Sequence, residues 1–253
     1  MTTVLSVGTT HPWNIAGIGL DLLVGAELGV RVLTVCTAVS AQDRDGLHAL
    51  ETLSPDIIRA QFAATRETPI DAVRVGAMTS AAAVAAVASE LRRYYDLPIV
   101  VDPVMTASRG GTFVDAATMA AFRSQLASLP NVILTPNLEE AQALLGDARE
   151  IRRDTLGEAA RDLQRFGVRA VLLKGGHLQG DPADALATID TVELLDAARL
   201  GRELRGTGCL LAMSLACRLA QGVGLRDAVQ FARAFVRRKI EGAREFGGLP
   251  VAY

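Results

Sequence analysis

The residues with the strongest claim to chemistry lie in one run, R-G-T-G-C, at positions 205 to 209. Gly206, Thr207 and Gly208 let the backbone turn without a Cβ clash, and the uncharged LLAMSLAC that follows reads as a helix. A helix opened by such a turn leaves its first N–H groups unpaired and aimed at one point. Those donors and the helix dipole favour phosphate oxygens and stabilise charge that develops in phosphoryl transfer. Cys209 sits in that first turn, where a thiol is expected to have a lowered pKa and to accept a proton near neutral pH. A small buried hydrophobe beside a structural glycine turn is the competing reading.

Other candidates follow short apolar runs. AVLLKGGH places Lys174 just beyond a strand, with glycines that keep side chains away from whatever the lysine reaches, and a nucleotide phosphate suits it. TPNLEEA offers Asn137, Glu139 and Glu140 at a helix start. Two readings stand there: an N-cap with Glu140 completing a capping box, or a magnesium ion held through water. VVDPVM ends a buried strand in Asp102, a costly carboxylate unless it meets a cation or a donor. Asp21 interrupts the apolar helix pattern AGIGLDLLVGAEL and either pairs there or faces water. Gln42 and Asp43 follow the second strand. His11, His48 and His177 match no zinc-ligand spacing, and neither a Walker loop nor a G-x-G-x-x-G after the first strand is present.

The elements that must position these residues alternate. VLSVG, VRVLTVCTAV, AVRVGAM, PIVVDPVM, NVILTPN and AVLLKGG are apolar throughout, as strands buried on both faces read. Between them lie helical patterns over residues 15–28, 55–67, 81–95, 115–126 and 155–166. This order predicts an α/β fold in which helices cover both sides of a mostly parallel sheet. ALATID and VELLDAA predict a late antiparallel pair at one edge, and helices over 207–221 and 225–243 are expected to close the chain. No linker or repeat divides it, so residues 1–253 are expected to form one domain. In such sheets ligands gather at the carboxyl ends of the strands, where nearly every candidate above falls.

Composition narrows the partners. At 253 residues and 50% hydrophobic content the chain can bury a sizeable core. Its 26 basic and 28 acidic residues give a net charge of −2 with no long like-charge block, which argues against nucleic acid and membrane surfaces. Cys36, Cys209 and Cys217 form no C-x-x-C pair, and with no signal-like N-terminus a reducing, cytoplasmic setting is expected.

In this order, AGIGLD, TAVSAQD, VGAMTS, VVDPVM, TPNLEEA, LLKGGH and RGTGC resemble the hydroxymethylpyrimidine and phosphomethylpyrimidine kinases of thiamin biosynthesis, within the ribokinase-like superfamily. The resemblance spans nearly the whole chain. It implies a ribokinase-like three-layer α/β/α fold and a homodimer. It also implies ATP-dependent, magnesium-dependent phosphorylation of a heteroaromatic alcohol, the hydroxymethyl group of an aminopyrimidine or its phosphate. Gly206, Thr207 and Gly208 would form the anion hole, with Cys209 as catalytic base. Lys174 would lie against ATP phosphates, Asn137 and Glu140 would organise nucleotide and magnesium, and Asp102 would support the metal. Asp21 and Gln42 would read the pyrimidine, with Met78 packing on its ring.

Departures concentrate on the substrate side. Where the family reads G-S-D-x-S-G-G-A-G-I-Q-A-D, this chain reads T-T-H-P-W-N-I-A-G-I-G-L-D, so that His11 replaces an aspartate, Trp13 a serine, and Asn14 and Ile15 a glycine pair. Trp13 and Ile15 are expected to narrow or cap the pocket. N-T-H before the glycine turn becomes Glu203, Leu204 and Arg205, a threonine after the cysteine becomes Leu210, and Ser108 with Arg109 occupies the flap where the family has lysine. Two further readings are therefore kept: a pyridoxal-type or other ribokinase-like kinase, and a non-catalytic ligand-binding homologue, for which Ile15 and Leu210 speak.

Overall fold

Apolar runs without alternation become strands with both faces covered. The computed structural model describes residues 1–105, 113–147, 149–202 and 204–253; the flap positions Ser108 and Arg109, and Glu203, lie outside the described residues. Strands β1 (Thr3–Thr10), β2 (Arg31–Gln42), β4 (Ala72–Val75), β5 (Ile99–Val101), β6 (Val132–Leu134) and β7 (Ala170–Leu173) are the apolar runs read from the sequence. They lie parallel in the order β2-β1-β4-β5-β6-β7.

Successive residues along these strands serve opposite cores. Val73, Val75, Ile99, Val101 and Leu134 pack with Phe62 of α2 (Pro55–Ala64), Val84 of α3 (Ala81–Leu91), Leu144 of α5 (Leu138–Leu145) and Leu163 of α6 (Leu156–Gln164). Ala72, Val100 and Ile133 pack on the other side with Val24 of α1 (Gly17–Glu27), Met213 of α7 (Thr207–Ala220) and Phe235 of α8 (Leu225–Glu241). Because both faces are covered by helices, no polar alternation survives in the central strands.

The antiparallel pair expected late in the chain is β8 (Ala183–Thr188) with β9 (Val192–Asp196), joined to β7 at one edge of a nine-stranded sheet. The other edge is antiparallel too, which the sequence reading did not anticipate: β3 (Leu47–Thr52) folds back on β2. Its LHALET is half exposed and lacks the doubly buried signature, and His48 lies on this strand. The closing helices are also not the end of the fold. A hairpin of β10 (Arg244–Phe246) and β11 (Leu249–Val251) follows α8; its first strand is exposed throughout and so carries no apolar signal.

Helix starts separate two kinds of element. Ser54, Ser80, Asp115 and Asn137 cap α2, α3, α4 (Ala116–Ala121) and α5 by accepting from a backbone N–H three residues on. Helix α7 opens on Gly206 in the left-handed region, φ 78°, with no side-chain cap. Its first donors stay available.

Leu134 is fully buried in β6 near the middle of the sheet. Leu134→Ala is expected to lower unfolding stability by about 2–5 kcal/mol in urea titration, with the higher part of that range if the site cannot collapse. A loss below about 1 kcal/mol would show that this strand is not core.

Candidate active site

Three strand ends are tied together by the backbone. The Asp102 N–H donates to Val75, that of Thr135 to Val101, and that of Lys174 to Pro136, so the residues after β5, β6 and β7 advance side by side. Lys174 Nζ thereby reaches Asp102 Oδ1 at 2.8 Å and Glu140 Oε2 at 3.9 Å. The mouth of α7 closes on this pair: a Cβ at Gly208 would lie 3.2 Å from Lys174 Nζ and 3.3 Å from Asp102 Oδ2. At Gly206 a Cβ would lie 2.2 Å from the Ile15 carbonyl oxygen. Gly206 is thus demanded by close approach to backbone and by its positive φ, Gly208 leaves tight room beside a lysine and a carboxylate, and the α7 start carries no side-chain cap.

Charge balance within the cluster is set by burial. Burial pulls the Lys174 ammonium down, but Asp102 and Glu140 outweigh it and leave the pKa raised. Burial pushes the Glu140 carboxyl up to about 7, with Lys174 opposing and Asp102 adding. Glu140 also completes a capping box, accepting from the Asn137 N–H at 2.7 Å while Asn137 Oδ1 accepts from the Glu140 N–H at 2.8 Å. The capping reading of this pair is therefore realised, with the Glu140 carboxylate still beside Lys174.

Beneath the cluster lies a residue that sequence reasoning missed. Arg74, in β4, is 1% exposed, with Nη1 at 3.1 Å from Asp21 Oδ2 and Nη2 at 3.6 Å from Asp102 Oδ2. Its Nε and Nη2 make no hydrogen bond. A Cβ at Gly76 would lie 2.3 Å from Arg74 Nη1, so this glycine leaves the space that the guanidinium fills. Burial opposes the charge, but Asp21, Cys209 and Asp102 together hold the guanidinium well above its ordinary pKa. The signal was present in AVRVGAM: a lone arginine in a strand covered on both faces must meet carboxylates.

Asp21 is fully buried and does not face water. It accepts a 2.6 Å hydrogen bond from the Ser6 hydroxyl, and burial raises its pKa despite Arg74 and Ser6. It is held below the α7 mouth through Arg74, which corrects the expectation that it reads the pyrimidine directly: a fully buried carboxylate engaged by Ser6 and Arg74 offers no face to a ring. Gln42, at the end of β2, donates to the Ser40 hydroxyl at 3.2 Å beside the β1–α1 loop, and no described contact joins it to the Lys174 cluster. Met78 is buried at the head of a cleft lined also by Val104, Met105, Met119 and Phe122.

Cys209 requires a correction. Its thiol, expected to be depressed, is raised instead: burial dominates, Arg74 pulls down, and Asp102 and Asp21 push up. At this helix start the surrounding carboxylates and lost water outweigh the dipole and the arginine. Two expectations about the pocket also change. Leu210 is fully buried in the core shared by α1, α7 and α8, so its replacement of a polar residue does not alter the pocket wall. Trp13 packs edge-on against Phe246 of the terminal hairpin, with centroids 5.8 Å apart, rather than over the α7 mouth.

No group of three acidic, histidine or cysteine side chains suited to a metal ion occurs among the described residues. Magnesium bound with phosphate needs only one or two carboxylates, since waters and phosphate oxygens fill its octahedron. Asp102 and Glu140, flanking Lys174 at the mouth that Gly208 keeps open, fit that requirement.

A family model described as phosphomethylpyrimidine kinase matches residues 13–251. The chain is 37% identical over 247 residues to a hydroxymethylpyrimidine/phosphomethylpyrimidine kinase of Rhizobium meliloti, covering 96% of this chain and 92% of that one. Among solved structures it is similar to a phosphomethylpyrimidine kinase of Clostridium difficile, with TM-score 0.82 and 26% identity over 94% of this chain and 99% of the other. It is likewise similar to a pyridoxal kinase of Bacillus subtilis solved as an ADP complex, with TM-score 0.90 and 27% identity over 99% and 96% of the two chains.

Removing Arg74 strands two buried carboxylates. Arg74→Met is expected to cost about 3–5 kcal/mol of unfolding free energy, read from the urea midpoint, and a loss under about 1 kcal/mol would show that these pairs carry no stability. The raised thiol makes a second expectation, because alkylation needs the thiolate. Iodoacetamide at neutral pH should label Cys209 more slowly than a free cysteine, by site-resolved mass spectrometry; faster labelling would reinstate a depressed pKa.

Proposed function

The chain belongs to the phosphomethylpyrimidine kinase family, and on that premise we propose how its geometry carries out the reaction. The protein is a phosphotransferase that phosphorylates the hydroxymethyl group of an aminopyrimidine, or the phosphate already on it, in thiamin biosynthesis, with ATP as donor. The observation that carries this reading is the uncapped mouth of α7, with Lys174 Nζ and Asp102 Oδ2 3.2 and 3.3 Å from where a Gly208 Cβ would stand.

In this reading the N–H groups after Gly206 hold the oxygens of the migrating phosphoryl group, and Lys174 offsets its negative charge. The substrate hydroxyl oxygen bonds to the γ-phosphorus as the bond to the bridging oxygen breaks, ADP leaves, and the hydroxyl proton passes to the Cys209 thiolate, which becomes the thiol. Asp102 and Glu140 would hold magnesium, mainly through water, and the ion would neutralise charge on the phosphate oxygens. Phosphoryl transfer of this kind has a loose transition state, so positioning and charge stabilisation carry most of the rate and the proton leaves late. Only the thiolate form can take that proton, so a thiol mostly protonated at rest limits the reactive fraction of the enzyme near neutral pH. Asp21 supports the substrate side from below through Arg74, with Gln42 and Met78 as the ring contacts. A homodimer in the cytoplasm completes the proposal; no described helix is long and apolar enough to cross a membrane.

A pyridoxal kinase reading has one observation in its favour, the TM-score of 0.90 to the Bacillus subtilis enzyme. ATP consumption with hydroxymethylpyrimidine, its phosphate and pyridoxal separates the possibilities. Turnover on either pyrimidine well above pyridoxal is expected; preference for pyridoxal moves the assignment, and no turnover on any leaves a binding protein. Cys209→Ala should reduce kcat by about 100-fold or more, within the range of a lost general base, while ATP affinity stays near wild type. The raised thiol sets the sign of the pH dependence: its base form grows as pH rises, so wild-type kcat should climb between about pH 7 and 9, and Cys209→Ala should lose that slope. A flat wild-type profile, or unchanged turnover in the variant, removes the cysteine from the mechanism.

A further inference from the structure

The loop between β1 and α1 holds a histidine that the fold leaves unsatisfied. His11 is 4% exposed, and neither Nδ1 nor Nε2 has a hydrogen-bond partner. The Ala16 backbone lies close enough to act on the ring but makes no aligned hydrogen bond to it. Burial, aided by Arg205, disfavours the imidazolium, so the ring is neutral with one donor and one acceptor nitrogen. Buried polar atoms are nearly always paired, and leaving one unpaired costs about 1–3 kcal/mol.

A second departure sits in the same loop. Asn14 has φ 53°, the only non-glycine residue with positive φ among the described residues. Its Oδ1 lies against α1, where a Cβ at Gly19 would be 1.9 Å away. Unfavourable conformations that persist in one short segment mark functional loops more often than scaffolds. This loop lies at the site: it follows the carboxyl end of β1, its Ile15 carbonyl abuts Gly206, and Arg205 of the preceding turn acts on the His11 ring. The loop is anchored from outside rather than by the ring. Trp13 packs on Phe246, Gly247 has φ 57° with its would-be Cβ 2.5 Å from Trp13 Cη2, and Pro12 and Asn14 are exposed.

We propose that His11 is a specificity-determining residue of this kinase: when the heteroaromatic alcohol binds and the loop shifts about Asn14, an imidazole nitrogen hydrogen-bonds a polar atom of the substrate ring. This rests on the kinase reading above for the chemical class of the ligand. The polar group that the empty protein leaves unpaired is then satisfied only in the complex, and the unfavourable free energy stored in the apo loop is released on binding.

A purely structural histidine and a substrate-reading one respond oppositely to an apolar replacement. Steady-state kinetics with hydroxymethylpyrimidine, together with thermal melting with and without that alcohol, should be measured for wild type, His11→Phe and His11→Asn. His11→Phe is expected to raise the KM for the alcohol by about tenfold, to hold kcat within about threefold, to leave the KM for ATP unchanged, and to keep or raise the apo Tm. His11→Asn retains a donor and an acceptor and should recover most of the KM. A His11→Phe protein with unchanged KM for the alcohol, or with a lowered apo Tm and unchanged KM, overturns the inference. If the wild type phosphorylates no alcohol, the kinase reading fails on its own, and the alcohol-induced Tm shift still decides this one: loss in His11→Phe with recovery in His11→Asn supports it, and equal shifts in all three overturn it.

Discussion

A buried cation shared by two carboxylates is the constraint from which the site is built. Arg74 emerges from a strand covered on both faces, and a guanidinium there survives only because Asp21 and Asp102 meet it. Asp102 is in turn engaged by Lys174, so charge alternates from the floor of the site to its mouth: Asp21, Arg74, Asp102, Lys174, Glu140. Each member is costly alone and tolerable in sequence, which ties helix α1 to strands β4, β5 and β7 by more than apolar contact. Gly76 follows from this arrangement, since a side chain there would occupy space taken by Arg74, and Gly208 lets the α7 start approach Lys174 and Asp102 closely.

Above that chain of charges, the helix start that meets Lys174 and Asp102 has no side-chain cap. Where α2, α3, α4 and α5 spend a serine, aspartate or asparagine on their first N–H groups, α7 has a left-handed glycine and no side-chain acceptor. Open donors beside a lysine make a site whose missing partner is an anion. The same crowding explains the thiol. Burial of Cys209, with the charges of Asp102 beside it and Asp21 below, overrides what a helix start alone does to a cysteine.

Around this centre the chain has its own periphery. Trp13 reaches away from the anion mouth to the terminal hairpin, and Arg205, just before the glycine turn, donates to the carbonyls of Asp43 and Arg44 at 2.9 and 2.7 Å. The β1–α1 loop is thereby fastened to the terminal hairpin, and the β2–β3 turn to the segment before α7.

The sequence by itself determined the layering, and it pointed to the residues that gather around the α7 start. Doubly apolar strands are buried on both faces, which requires helices on both sides, and G-T-G-C before an uncharged helix pointed to a helix start without a side-chain cap, as α7 has. Asp102, Lys174, Asn137 and Glu140 were legible for the same reason, as polar residues at the ends of such strands. The edge strand β3 and the hairpin after α8 were not legible, because half-exposed segments such as LHALET and REF carry no periodic signal. Tertiary structure alone decided which charges meet: the pairing of Asp21 with Arg74, far apart in the chain, the raised Cys209 thiol and the unpartnered His11 ring. Those depend on desolvation and on distances of a few ångströms between distant segments, which local sequence does not encode.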